Sequence, residues 1–269
     1  MVSKIVFVES GFGDGAMQMQ LDEALARAFL LPTLRDLIGA NAVLIRFYGW
    51  SPPAISLGFN QAPTAFDLDK LAADGIDLVR RPTGGRAVFH IDELTYAAIL
   101  CLGKSPAEHY ADINRALSVG LETLGVETAF QKQQPNFRER YARVASVPCF
   151  TASARYELEI NGKKLVGSAQ RRFGTVLLQH GSIMLTPKHR NLTRYLSTTD
   201  AALLAGIRQD LDAKTISVSE VLGRTPSYNE LCSALKTGFE TAWQLPSVTL
   251  SPTDAAALTK KTSSLHFEH

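Results

Sequence analysis

The sequence predicts an α+β fold: a mixed or antiparallel β-sheet packed by helices, with a small helical C-terminal appendage. Three observations carry this. Apolar, β-rich runs such as Ala42 to Phe47 and Glu93 to Leu102 alternate with stretches of helical periodicity. An Asn161-Gly162 pair, suited to a two-residue hairpin turn, joins two alternating segments. With 269 residues, 45% of them hydrophobic and 20% charged, the chain has ample material for a core and is neither a disordered tail nor a coiled coil.

The elements follow in order. Asp14 to Ile38 places Met17, Leu21, Leu25 and Phe29 at helical spacing, with Asp22 and Glu23 early, and predicts a first helix. Ala42 to Phe47 and Ala54 to Gly58 read as strands separated by Trp50-Ser51-Pro52-Pro53, with Arg46, Tyr48 and Trp50 as strand-edge and core residues. Phe66 to Ala73 is helical again, and Ile76 to Arg80 is a short strand. Glu93 to Leu102 is a buried strand, and Pro106 to Leu124 an amphipathic helix begun by Ser105 and stopped by Gly125.

Gln131 to Val147 is polar and without periodicity, and reads as a loop that could move. Arg155 to Ile160, Lys163 to Arg172 and Thr175 to Leu185 then predict a three-strand antiparallel meander, turning at Asn161-Gly162 and Phe173-Gly174. From Pro187 onward the pattern is mostly helical, with capping-box pairs Ser217/Glu220 and Ser227/Glu230. The expected division is a main body over 1–205 and a small helical segment over 206–269 packed on it.

Composition narrows the function. No run approaches the ~18 apolar residues of a membrane span, and Met1 to Phe12 lacks a leader pattern, so a cytoplasmic address is expected. Three cysteines without CxxC or HExxH spacing suggest a reduced compartment and give no reason to invoke a metal. A net charge of +2 argues against a dedicated nucleic-acid binder.

Two stretches carry chemistry. In Arg80-Arg-Pro-Thr-Gly-Gly-Arg-Ala-Val-Phe-His90, Gly84 and Gly85 let backbone approach a ligand, and Arg80, Arg81 and Arg86 could hold a carboxylate, phosphate or carbonyl. A tight turn with solvated arginines fits the same residues. In Pro148 to Arg172, Lys164, Val166, Ser168 and Gln170 share one strand face, and Leu165, Gly167 and Ala169 the other. The small residues Gly167, Ser168 and Ala169 leave room beside the sheet for a ligand, although a hairpin with solvated Lys163 and Lys164 is the plainer account. Cys101 and Cys232 lie in apolar periodic segments where a buried thiol is ordinary. Cys149, between Pro148 and Phe150, has no such context: it suits a structural role or a thiol activated by an ammonium such as Lys164. His90 and His180 are read as satisfied histidines beside the site.

Taken together, these stretches resemble the lipoate/biotin protein ligase and octanoyltransferase superfamily. The matching segments are Trp50-Ser-Pro-Pro-Ala-Ile-Ser-Leu-Gly58, Arg80 to His90 as quoted, Glu93-Leu-Thr-Tyr96, Gly162-Lys-Lys-Leu-Val-Gly-Ser-Ala-Gln170 and Leu178-Gln-His-Gly-Ser182. The resemblance implies that family's catalytic-domain fold over 1–205. It also implies substrate contacts from Arg81, Gly84, Gly85, Arg86, Ala87, Val88, His90, Gly167, Ser168, Ala169, Gln170 and His180.

Within the superfamily, ATP-dependent ligases carry a third loop glycine and then His-Asp. Here Arg86 holds the glycine position and Ile91 separates His90 from Asp92. The cysteine-dependent octanoyltransferases are closer. Their pattern implies Cys149 as acyl carrier, Lys164 as its activator, octanoyl-acyl carrier protein as donor, and a lysine of a lipoyl domain or glycine-cleavage H protein as acceptor, with no cofactor. Val79, Val88, Val166 and Ala169 are candidate walls for the acyl chain, and Lys132, Arg138, Arg140 and Arg143 candidates for steering an acidic partner. A lipoate-protein ligase, an amidotransferase between lipoyl proteins and a non-catalytic acyl-protein binder remain the alternatives.

Overall fold

The computed structural model describes residues 2–31, 38–39, 41–130 and 157–251. Cys149, the segment from Gln131 with Lys132, Arg138, Arg140 and Arg143, the expected start of the meander at Arg155, and the tail beyond 251 lie outside them. Strand β1 (Lys4–Gly13) leads into helix α1 (Gly15–Ala28), where Asp14 caps by accepting from the Met17 N–H. The helix ends well before Ile38. Leu31 precedes Pro32, and a residue before proline is driven out of helical geometry.

Next come β2 (Ala42–Trp50), β3 (Ala54–Leu57), the short helix α2 (Leu68–Ala73), β4 (Asp77–Arg80), β5 (Val88–His90) and β6 (Glu93–Cys101). Helix α3 (Pro106–Thr123) opens on a capping box. Ser105 Oγ accepts from the Glu108 N–H, and the Glu108 carboxylate accepts from the Ser105 N–H. It stops before Gly125, whose φ of +84° needs no side chain. After β7 (Ala129–Phe130) follow β8 (Leu158–Ile160), β9 (Lys163–Lys164), β10 (Val166–Phe173) and β11 (Val176–Met184). A 3₁₀ segment over Pro187–Tyr195, helices α4 (Ala201–Lys214), α5 (Val218–Leu222) and α6 (Tyr228–Trp243), and strand β12 (Ser247–Thr249) complete the described chain.

The large sheet has six strands in the order β10-β11-β6-β2-β1-β12, antiparallel from β10 to β2 and parallel from β2 through β1 to β12. All nine residues of β2 are buried, because both faces are covered. Val43, Ile45 and Phe47 point into the core under α3 and α6, whereas Leu44, Tyr48 and Trp50 point into the core under α1. A three-stranded sheet, β4-β3-β5, stands beside the α1 face.

The expected meander is divided. Asn161 and Gly162, at φ +51° and +74°, make the turn between β8 and β9, but this hairpin joins β7 in a small sheet of its own. β10 pairs instead with β11 in the large sheet. Leu165 marks the crossing: it is fully buried, and its N–H donates to the Leu158 carbonyl. From Val166 onward the predicted faces hold, with Val166 in the α3-side core, Ser168 bonded to Tyr96, and Gln170 bonded to Gln179 and the Pro106 carbonyl.

Toward the C-terminus, α6 lies directly on α3. A Cβ on Gly238 would collide with the Ala116 carbonyl and the Gly120 backbone, so two facing glycines let the helices touch. Cys232 faces this core, and burial pushes its thiol up to about 12. Strand β12 then closes the sheet edge beside β1. Among the described residues no helix is long and apolar enough to cross a membrane.

Candidate active site

Where the α1 face of the large sheet meets β3 and β5 there is a small cleft. β2 contributes Tyr48 and Trp50, β3 Ser56, β5 Val88 and His90, β10 Gly167 to Ala169, and β11 His180 and Ser182, with Met19 reaching in from α1. Gly181 keeps β11 and β10 close, since a Cβ there would press on the Gly167 carbonyl and Ser168 Oγ.

Two buried carboxylates organise the polar floor. Asp22 Oδ2 lies 2.9 Å from His180 Nδ1, and His180 Nε2 lies 2.7 Å from Thr83 Oγ1. Glu93 Oε1 lies 3.0 Å from His90 Nδ1, and His90 Nε2 lies 2.8 Å from Ser56 Oγ. An ionised carboxylate only accepts, so each fixes Nδ1 as the imidazole donor. Asp22 further accepts from Arg46 Nη1 at 2.6 Å and the Tyr48 hydroxyl at 2.7 Å. Burial works to raise the Asp22 carboxyl, but Arg46 and His180 overcome it and hold it below the usual range. At Glu93 burial is likewise outweighed, by His90 and by hydrogen bonds from His90, Ser182 and Thr95.

Trp50 stacks on His90 at 4.0 Å between centroids and donates its indole N–H to Thr95 Oγ1 at 2.8 Å. Trp50 and His90 also line a second cavity of about 430 Å³, together with Glu93. With the histidines, carboxylates and hydroxyls bonded to one another, Met19, Val88, Ala169 and the Trp50 ring give the cleft an apolar lining.

The glycine loop is braced from beneath. Buried Arg81 donates to the carbonyls of Ser56, Gly84 and Arg86, and Arg80 donates to those of Gly58 and Phe59. Gly58 lies flat against the Gly85 carbonyl, leaving no space for a Cβ, and Gly85 itself takes φ +94°. Arg80 and Arg81 thus shape the loop with the guanidiniums that sequence reading offered to a ligand or to solvent.

Of the residues singled out in sequence, Arg81, Val88, His90, Gly167, Ser168, Ala169 and His180 line the cleft. Gly84 and Gly85 are exposed on the loop, with Arg86 and Ala87 buried behind it, and Gln170 points toward the start of α3. Among the candidate walls, Val166 belongs to the opposite core, and Val79 packs against Gly15 at the start of α1, on the α1 side but off the cleft lining. Lys164 is off the cleft lining, buried against Glu157 with Nζ 2.6 Å from Oε1.

Tyr48 and Trp50 are core residues, as the sequence reading has them, that also line the cleft, and Arg46 is buried with its guanidinium bonded to Asp22 and Ser10. Asp22, Ser56, Thr83 and Thr95 escaped sequence reading. The legible signal was Arg46, a charge inside the apolar run Ala42 to Trp50, with Gln18 and Asp22 one helical turn apart on the same face as Leu21 and Leu25.

Residues 14–240 match the lipoyl protein ligase A/B catalytic domain. The chain belongs to this family. Octanoyltransferase LipM of Symbiobacterium thermophilum is 36% identical over 253 residues, 91% of this chain and 87% of the relative. That of Moorella thermoacetica is 38% identical over 229 residues, 81% and 78% of the two chains. In solved structures the fold is that of a bi-partite lipoate protein ligase from Thermoplasma acidophilum, with a TM-score of 0.72, 20% identity and coverage of 98% and 93% of the two chains. A lipoate-protein ligase A bound with ATP gives 0.69 at 19% identity, covering 98% and 95%. The family's α+β fold, expected from the sequence motifs, is the fold observed.

Proposed function

We propose that the chain is an octanoyltransferase of lipoate biosynthesis, moving an octanoyl group from acyl carrier protein through a thioester on Cys149 to a lysine of a lipoyl domain or glycine-cleavage H protein. The observation that carries this reading is the match to LipM octanoyltransferases at 34–38% identity over most of the chain. The cleft's apolar lining and the buried Lys164 add support.

The chemistry runs in two halves. The Cys149 thiolate, stabilised by the Lys164 ammonium, attacks the donor thioester carbonyl; the C–S bond to the carrier breaks and the carrier leaves as a thiol. The acceptor amine then attacks the Cys149 thioester, the amide forms and Cys149 is released. A thioester already carries the activation energy, so transfer proceeds without ATP. Selectivity for eight carbons comes from burial: about seven apolar groups at ~0.8 kcal/mol each are worth on the order of 5 kcal/mol against Met19, Val88, Ala169 and Trp50.

The test is intact and peptide mass spectrometry after incubation with octanoyl-acyl carrier protein and no ATP. A hydroxylamine-labile octanoyl adduct on Cys149, absent in Cys149→Ala, is the expected result. Octanoate-dependent ATP consumption that survives Cys149→Ala would replace this reading with the ligase.

A further inference from the structure

We infer that His180 is a positioning residue: oriented by Asp22, it latches Thr83 and so holds the Gly84-Gly85 backbone beside the cleft in the arrangement that acyl transfer uses. The inference rests on the octanoyltransferase reading above and deepens it.

The latch runs between the two sheets that enclose the cleft. Arg80 ends β4 and Val88 opens β5, so the glycine loop joins strands of the small sheet, while His180 stands on β11 of the large one. Arg81, Val88 and His180 all line the cleft, and the loop tip Gly84-Gly85 is exposed between the first two. The loop reaches the large sheet at Thr83, whose Oγ1 lies 2.7 Å from His180 Nε2, and at Pro82, whose carbonyl accepts from Arg171 at 2.8 Å. Thr83 is fully buried, whereas a Cβ on Gly84 would meet nothing within 4 Å. The tip has no side chain of its own to anchor it, so its place depends on its neighbour.

The direction of the bond is set from the buried end. Asp22 accepts from Arg46 on Oδ1 and from the Tyr48 hydroxyl on Oδ2, which fixes the carboxylate, and Oδ2 takes the Nδ1 proton of His180 at 2.9 Å. Nε2 is then the acceptor, and the Thr83 hydroxyl donates to it. The Glu93–His90–Ser56 relay is the contrast. Ser56 lies within β3, and its backbone pairs with Val79 of β4 and Val88 of β5, so its place is set by the ladder without His90. Thr83 lies in no strand. Its carbonyl accepts from the Phe59 N–H at 2.9 Å on the small-sheet side, and its side chain supplies the bond toward β11.

Losing that bond frees the part of the chain that is easiest to disorder. A glycine pair samples wide backbone angles once unrestrained, and the reaction must then order it again. Held by Thr83, the loop presents one arrangement to the acyl thioester, which is how a group that touches no reacting atom sustains the rate.

The experiment compares the full chain of the wild type with Thr83→Val, Thr83→Ser, His180→Phe and the double variant Thr83→Val with His180→Phe. It reads amide hydrogen exchange over residues 82–86 and ATP-free octanoyl transfer, with circular dichroism to confirm each fold. Thr83→Val keeps the shape and removes the donor: loop exchange rises about tenfold while β6 and β11 amides stay as they were, and kcat falls about tenfold with KM within about twofold, the effect one buried hydrogen bond supports. Thr83→Ser keeps the hydroxyl and stays close to wild type in both readouts. His180→Phe removes the same bond from the other side, and serves if Thr83→Val does not fold. The double variant exchanges no faster than either single one, because both changes break one bond. Loop exchange in Thr83→Val within about twofold of wild type, a Thr83→Ser loss equal to that of Thr83→Val, or a double variant whose effects multiply overturns the latch. A loosened loop with kcat unchanged overturns the positioning role. A wild type that transfers no octanoyl group overturns the octanoyltransferase reading, and the exchange data by themselves then uphold or overturn the latch.

Discussion

Replacing Asp22 by Asn tests the buried floor of the cleft most directly. The substitution keeps size and removes one charge, leaving the Arg46 guanidinium, 0% exposed, without the carboxylate at 2.6 Å that balances it. Removing one partner of a buried ion pair costs about 3–5 kcal/mol. At ~2–4 °C per kcal/mol for a domain of this size, the melting temperature falls by roughly 6–20 °C. The sign with pH follows from the folded carboxyl, held below its ordinary 3.8. Its contribution is present above that value and lost as the pH falls through the folded-state value, so below about pH 4 the difference between wild type and Asp22→Asn narrows. Thermal melts by circular dichroism at pH 7 and across pH 3–5 measure both effects. Adding Arg46→Met to Asp22→Asn removes the stranded charge and recovers part of the loss. A shift under about 3 °C at pH 7, or a double variant whose loss is the sum of the two single losses, would refute the coupling.

Three further outcomes are expected. Trp50→Ala joins the cleft to the second cavity, so transfer of decanoyl and dodecanoyl groups rises relative to octanoyl; a competition assay with mixed acyl carriers reads the ratio. Gly58→Ala forces a methyl group against the Gly85 carbonyl, and urea denaturation registers a loss of about 1–3 kcal/mol together with weaker transfer. His189, buried and bonded to Thr215, is pushed down to about 4 by desolvation. Between that value and 6.5 the unfolded chain binds the extra proton, so stability falls as pH drops through this window, by up to about 3 kcal/mol. His189→Gln flattens the slope in urea titrations.

Much of the architecture was local and so readable. Ser105 and Glu108 sit one helical turn apart and close their own capping box, Gly125 ends its own helix, and Asn161-Gly162 makes the turn its φ angles favour. Strands β1 and β12 were missed. Their parallel pairing joins residues near 5 to residues near 247, and β12 is three exposed residues with no apolar alternation to reveal it. The split at Leu165 escaped for a related reason: an alternating run looks the same whether its two halves serve one sheet or two.

By itself the sequence determined the α+β class, the glycine loop, the Gly-Lys-Lys hairpin and the motif order that places the chain in its family, because each is written in neighbouring residues. Only the tertiary structure decided what the polar residues do. Asp22 meets Arg46 across 24 positions and His180 across 158, and His180 reaches Thr83 across 97. A charge on an apolar face leaves the same local pattern whatever it meets, and its partner is chosen by which strands the sheet sets side by side.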